Sequence, residues 1–463
     1  MILRRRDISR LGAAWMPFAD AASDGLPLAQ LMRLSLLQLS VGMAQILLLG
    51  TLNRVMIVEL SIPALLVATM IAIPVLVAPF RAALGHRSDT HRSAIGWKRV
   101  PYLWFGSLWQ MGGLAVMPFA LIVLSGDQVM GPAWAGEVLA ALAFLMAGIG
   151  MHMTQTAGLA LAADRASDET RPRVVAVLYL MYLAGMGVSA LIVGFLLRDY
   201  DPLTLVRVVQ GCGLATLGLN LVALWKQERV RPMSAAERAA PRPALRQAWA
   251  DLSAEAPVVR LLAVVVLGTL AFNMQDVLLE PYGGQILGLS VSATTVLTAL
   301  WSAGAAAGFV LAARVQARGA DSARLAARGL LAGIGAFVAV IFAAPLQAPA
   351  LFYAGAASIG LGGGVFGVAT LSAAMTLPRG AAAGAGLAVF LGGALRDGVG
   401  RLAEAGLFGA LNDPALGYSV VYHIEIGLLF ATLAVLGPLV RLTPLTPTKP
   451  EDGSALRLAE FPT

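Results

Sequence analysis

The sequence predicts an all-α membrane protein of twelve transmembrane helices, with both termini cytoplasmic. Composition is the first reason. Of 463 residues, 58% are hydrophobic and 13% charged, and mean hydropathy is +0.77. Soluble domains are nearer a quarter charged. The second reason is window length. Twelve apolar windows match the ~20 residues that a bilayer-spanning helix takes. They lie at 34–55, 61–81, 100–124, 133–162, 172–197, 202–225, 259–280, 289–313, 325–345, 349–375, 380–405 and 418–441. Charge placement is the third. With this count, 28 of the 33 Lys and Arg residues fall on one side, as cytoplasmic loops require. The exceptions are Arg54, Arg198, Arg207, Arg396 and Arg401. A wrong helix count would scramble the bias.

These windows divide the chain. An N-terminal cytoplasmic or interfacial segment, 1–33, precedes a six-helix half, 34–226. A linker rich in Ala, Pro and charge, 227–258, leads to a second six-helix half, 259–441, and a cytoplasmic tail, 442–463. Arg4, Arg5 and Arg6 are followed by mixed residues rather than a short apolar core, so no cleavable signal is expected. The loop after the second span reads Gly85-His86-Arg87-Ser88-Asp89-Thr90-His91-Arg92. The equivalent loop after the eighth reads Arg318-Gly319-Ala320-Asp321-Ser322-Ala323-Arg324. Parallel repeats of this kind build the two halves of the major facilitator fold. Gly85, Asp89 and Arg92 make a partial match to that fold's loop motif, and an ordinary basic loop explains them equally well.

Several chemistries are excluded. There is no phosphate-binding GxxxxGK[ST] loop, GxSxG or HExxH motif, nor a paired DxxxD motif in the loops. The single cysteine, Cys212, sits in an apolar span and reads as a packing residue. The net charge of +7 comes from short loops and is explained by membrane orientation, so no nucleic-acid partner is expected.

Ionisable and amide groups at membrane depth are costly and read by default as functional. The first span contains Asn53 and Arg54, and Arg54 either anchors at the outer edge or pairs with Glu59 or Glu280. The fourth contains His152 and Gln155. The His152 imidazole can ligate a metal, including the magnesium of a chlorin, or simply hydrogen-bond a neighbouring helix. The seventh is richest, with Asn273, Gln275, Asp276 and Glu280. Asp276 and Glu280 are spaced i,i+4 on one face, and Pro281, Gly283 and Gly284 are expected to break the helix after them. Asp276 suits a titrating group, and Asn273 or Gln275 an oxygen ligand. A structural charge network with Arg396, Asp397, Arg401 and Glu404 of the eleventh span is the alternative. No transition-metal site is expected. His423 and Glu425 are expected at the outer interface.

The wording of several stretches is more specific than their polarity. Pro17–Asp24, Gly50–Leu60, Gly96–Tyr102, Thr154–Ala162, Arg171–Ala176 and the run Phe272–Gly284 together resemble the PucC/LhaA family, also called the bacteriochlorophyll delivery family. This family of light-harvesting complex assembly proteins lies within the major facilitator superfamily. The resemblance runs from about Pro17 to Arg231 and from Leu261 to Glu404. It implies a non-enzymatic assembly factor in the inner, intracytoplasmic photosynthetic membrane of purple bacteria. It also implies contact with bacteriochlorophyll a and antenna polypeptides, extending to the reaction centre and the pigment-biosynthesis or insertion machinery. Asn53, His152, Gln155, Asn273 and Gln275 are the candidate pigment contacts on the polar-in-membrane argument. The rival readings are a proton-coupled transporter of a small molecule or lipid, using Asp276 or Asp164, and a scaffold with no pigment site.

Overall fold

A computed structural model describes residues 21–23, 25–76, 84, 88, 97–126, 131–132, 134–167, 170–228, 256–375 and 416–442. The predicted eleventh span, most of the linker, the tail, and Gly85, Asp89 and Arg92 lie outside them. The described helices are α1 (Leu28–Glu59), α2 (Ala64–Leu76), α3 (Val100–Leu124), α4 (Ala135–Arg165), α5 (Arg171–Leu196) and α6 (Pro202–Leu224). The second half holds α7a (Ala256–Asn273), α7b (Leu279–Gln285), α8 (Val291–Ala317), α9 (Ser322–Ala343), α10 (Pro349–Met375) and α11 (Leu416–Leu442). Among the described residues, ten helical stretches are long and apolar enough to cross a membrane, counting α7a and α7b as one.

Helix starts follow local chemistry. Asp201, Ser290 and Asp321 cap α6, α8 and α9 by accepting the backbone N–H of Thr204, Ala293 and Arg324. α1 begins at Leu28, after Pro27, six residues before the expected boundary at 34. The reason is packing. Leu26 and Leu31 are fully buried against Leu103, Leu161 and Val174, so this polar-flanked turn folds on the helical body.

The larger correction lies in the seventh span. The helix stops at Asn273, before the predicted breakers, and passes through a 3-10 turn at Met274–Val277. Pro281, Gly283 and Gly284 then lie within α7b. Proline acts backwards along the chain. Its ring clashes with the carbonyl four residues earlier, here Val277, and it has no N–H to bond that carbonyl. In the first turn of α7b the missing N–H costs nothing, because those donors have no intrahelical partner anyway.

Lipid supplies no hydrophobic drive between helices, so close packing of small residues must do so. A methyl group at Gly113 of α3 would stand 2.3 Å from the Ala147 nitrogen, and one at Gly150 of α4 2.2 Å from the Gln110 nitrogen. Both backbones therefore approach where only glycine fits. Buried polar groups knit the same half. Ser40 donates to the Asn220 side chain at 2.5 Å, and Gln110 to the Ser40 carbonyl at 3.0 Å, joining α1, α3 and α6.

At the end of the bundle where α1 begins, Glu228 accepts the backbone N–H groups of Arg99 and Val100, both at 3.1 Å, at the start of α3. Arg99 also pairs with Asp164 at 3.1 Å and bonds Ser88. Arg165 joins α4 to Gln30, Gln227 and the Gly25 carbonyl.

Gly113→Leu should destabilise the detergent-solubilised protein by about 1–3 kcal/mol, the usual cost of overpacking. Gly211→Leu, where nothing lies within 4 Å, should leave its thermal midpoint unchanged.

Candidate functional site

The polar groups of α1 and α7 meet between the two halves. α1 widens into π-helical stretches at Leu47–Thr51 and Val55–Glu59, on either side of Asn53 and Arg54. Such bulges are frequent at functional sites. Gly50 lies in the first of them, and a methyl group there would stand 2.5 Å from Glu280 Oε1. Facing it, the 3-10 turn presents Gln275 and Asp276, and α7b presents Glu280.

These elements, with α5 and α8, line a partly open cavity of about 260 Å³. Asn273, Gln275, Asp276 and Glu280 line it on one side, and Tyr182 and Trp301 contribute aromatic wall. The Gln275 side-chain amide donates to Asp276 Oδ1 at 2.5 Å. The Thr298 hydroxyl donates to Glu280 Oε1 at 2.5 Å. Gln275 Oε1 and Glu280 Oε2 are buried and accept no hydrogen bond. Asp276 and Glu280 open on the same cavity, although the helix between them is not continuous.

Arg54 is 3% exposed, so it is an interior group and not an anchor at the membrane edge. Of the two expected partners it takes Glu59, at 2.5 Å. Its other terminal nitrogen donates to the Leu289 carbonyl at 3.1 Å, tying the first half to the loop before α8. Tyr200, in the loop between α5 and α6, lies beside this pair. Burial, and then the Glu59 carboxylate, push its phenol above the ordinary value.

The five candidate pigment contacts do not converge. Asn273 and Gln275 line the cavity, whereas Asn53, His152 and Gln155 are outside its lining. Asn53 is buried and donates to the Leu49 carbonyl at 3.0 Å. His152 and Gln155 are half-buried on α4. At 100° per residue, His152 falls on the stripe that continues from membrane-facing Val138 and Leu142, while Gln155 falls on another face. Drug-sized ligands occupy about 300–1,000 Å³. A bacteriochlorin with its tail is larger still, so the cavity does not fit that group.

The sequence reading missed Glu425. It is fully buried, not interfacial, and faces Asp276 and the Gln275 backbone. Its neighbour His423 is exposed, as expected. The signal was present in the helical period. Tyr418, Tyr422, Glu425 and Leu429 recur at i, i+4, i+7 and i+11, and all are fully buried. Tyr282 packs edge-on against Tyr418 and Tyr422, with centroids 5.2 and 5.7 Å apart. The predicted partners Arg396, Asp397, Arg401 and Glu404 lie outside the described residues.

Arg54→Ala should destabilise the protein by about 3 kcal/mol, the low end for breaking a buried pair, because the partner Glu59 is partly solvated. Adding Glu59→Gln should restore part of the loss. Equal unfolding midpoints for Arg54→Ala and the parent protein in detergent would count against the pairing.

Comparison with known proteins agrees with this architecture. A family model described as PUCC protein matches residues 51–443. An uncharacterised protein of the puhA-bchM intergenic region of Rhodobacter capsulatus is 67% identical, covering 100% of both chains. Protein PucC of Rhodovulum sulfidophilum is 48% identical, covering 85% of this chain and 90% of its own. In structure, a bacterial homologue of the human lysosomal transporter Spinster, inward-facing and occupied, superposes with a TM-score of 0.62. The match has 14% identity and covers 89% of this chain and 96% of that one. The fold is thus that of the major facilitator-type transporters, and the protein is a multi-pass membrane protein. On a family match that spans most of its length, the chain belongs to the PucC family.

Proposed function

We propose that this chain is an assembly factor for the light-harvesting antenna complexes of purple bacteria. It works in the inner, intracytoplasmic photosynthetic membrane, as twelve spans with both termini cytoplasmic, and it is not an enzyme. The observation that carries the reading is the PucC family match across residues 51–443. Its clients are antenna polypeptides and bacteriochlorophyll a, with the reaction centre and the insertion or pigment-supply machinery as further partners.

The geometry supports handling these clients from outside the helix bundle. The central cavity is too small for the pigment. The membrane faces of α3, α5 and α6 present large apolar side chains, among them Phe105, Phe195 and Leu214, each more than half exposed. Single antenna helices can pack on such a surface through dispersion and small-residue contacts. His152, on the stripe shared with Val138 and Leu142, is the pigment contact this reading favours.

A second reading, a proton-coupled transporter, is favoured by one observation: Asp276 lines a cavity between the two halves. It predicts a pH-dependent flux lost in Asp276→Asn. Asp164 suits that role less well, since it pairs with Arg99 at the end of α4.

Deleting the gene should lower antenna absorption in phototrophic membranes, and the intact gene should restore it. Asp276→Ala should lower antenna levels at unchanged membrane abundance. The tagged protein, purified in mild detergent from pigmented membranes, should carry antenna polypeptides and bacteriochlorophyll absorption. Normal antenna levels in the deletion strain, or a colourless and partner-free protein, would overturn the assembly reading.

A further inference from the structure

The cavity between the halves has a lining whose chemistry the assembly reading does not account for. Its polar lining is Gln45, Asn273, Gln275, Asp276, Glu280 and Thr298, two of them carboxylic acids. Gln275 Oε1 and Glu280 Oε2 are buried, point to no donor, and belong to side chains that line the cavity. The Asp276 carboxylate opens beside them. Glu425, fully buried, adds a further carboxyl group in electrostatic range of Asp276. Thr298 donates to Glu280, and the Gln275 amide nitrogen to Asp276. No Lys, Arg or His is part of the lining among the described residues. Arg54, the nearby cation, hydrogen-bonds Glu59 and the Leu289 carbonyl and reaches Glu280 only through space.

The rest of the lining is of another kind. Trp301 and Tyr182 present rings, and Ile46, Leu49 and Met186 present apolar side chains. Carboxylates and aromatic rings in one lining complement a cation with an apolar body. Its N–H groups take charge-assisted hydrogen bonds to carboxylates, and its charge is attracted to the ring faces. Among the described residues, no three ligating side chains have the spacing of a metal site, which disfavours a bare divalent ion. Volume sets the size. At about 30 Å³ per water, the cavity has room for some eight or nine waters, and so for about ten heavy atoms.

We infer that this cavity binds a small organic ammonium ion, a primary amine of up to about ten heavy atoms with an aliphatic or aromatic body. The carboxylates of Asp276 and Glu280 and the Gln275 carbonyl hold the ammonium, and Trp301 and Tyr182 stack on the body. The site is independent of pigment and antenna contacts on the membrane face, so a binding assay tests it whether or not the assembly reading holds.

Phenethylammonium is a suitable probe, titrated calorimetrically into the full-length protein in detergent. Phenethyl alcohol serves as its neutral counterpart. Saturable binding of the ammonium and at least tenfold weaker binding of the alcohol are expected. Asp276→Asn and Glu280→Gln should each weaken ammonium binding at least tenfold, and Trp301→Leu about threefold. Asp199→Asn, on an exposed loop, should leave it unchanged. Unaltered thermal midpoints show that each variant is folded, and Trp301→Leu keeps the test decisive if a carboxylate variant is not. Three outcomes would overturn the inference. One is equal binding of the alcohol. Another is undiminished binding in the folded carboxylate and Trp301 variants. The third is binding that appears only after Arg396→Gln or Arg401→Gln, which would mean that the protein neutralises the cavity itself.

Discussion

Inside a bilayer every backbone carbonyl must find its donor within the protein, since lipid offers none. Pro281 breaks that rule locally by withholding an N–H from the Val277 carbonyl, and the seventh span responds with a turn of 3-10 helix at Met274–Val277. Much of the central site depends on this response. A continuous helix would carry Asn273, Asp276 and Glu280 along one straight face. The interruption instead turns Gln275 and Asp276 into the space between the halves and sets Glu280 on a separate short helix. α1 answers with its own irregularity, two π-helical stretches and a glycine, Gly50, that lets the Glu280 carboxylate approach closely. Two irregular backbones thus face each other where the cavity forms.

The remainder of the molecule holds these elements in place by two means. Within each half, helices are drawn together by small residues and a few satisfied polar groups, as at Gly113, Gly150 and the Ser40–Asn220 contact. Between halves, α5 packs along α8, and Arg54 reaches from α1 to the Leu289 carbonyl. At the opposite end, Glu228 and Arg165 bind the start of α3, the end of α4 and the segment before α1 into one polar layer. Charges are therefore spent at the ends of the helices, where they pair. In the middle, the carboxylates keep open acceptors and an aromatic wall, a combination that packing alone does not call for.

The elements that sequence reading placed well are those governed by one-dimensional chemistry. Apolar windows of bilayer length locate α3, α6 and α10 to within a few residues, because hydropathy depends only on composition along the chain. The polar residues of the seventh span are equally visible, because an amide or a carboxylate among leucines is rare at any register. Glu425 departs from its expected interfacial place, and Arg54 takes the paired one of its two expected roles, for a shared reason. Both lie near the ends of their windows, where position along the chain suggests an interface. Burial there depends on which face of the helix meets a neighbour. For Glu425 the stripe with Tyr418 and Tyr422 carried that information. For Arg54 only the arrival of Leu289 from the other half supplies it.

By itself, then, the sequence determines the membrane class, the approximate spans, the family and the identity of the polar residues at membrane depth. These follow from transfer free energies and from residue wording, both local properties of the chain. Tertiary structure alone decides where the seventh span breaks, that Asp276 and Glu280 share a cavity with Trp301 and Tyr182, and that Arg54 links two halves. Each of these depends on backbones distant in sequence coming within a few ångströms of one another, and no local property of the chain records that approach.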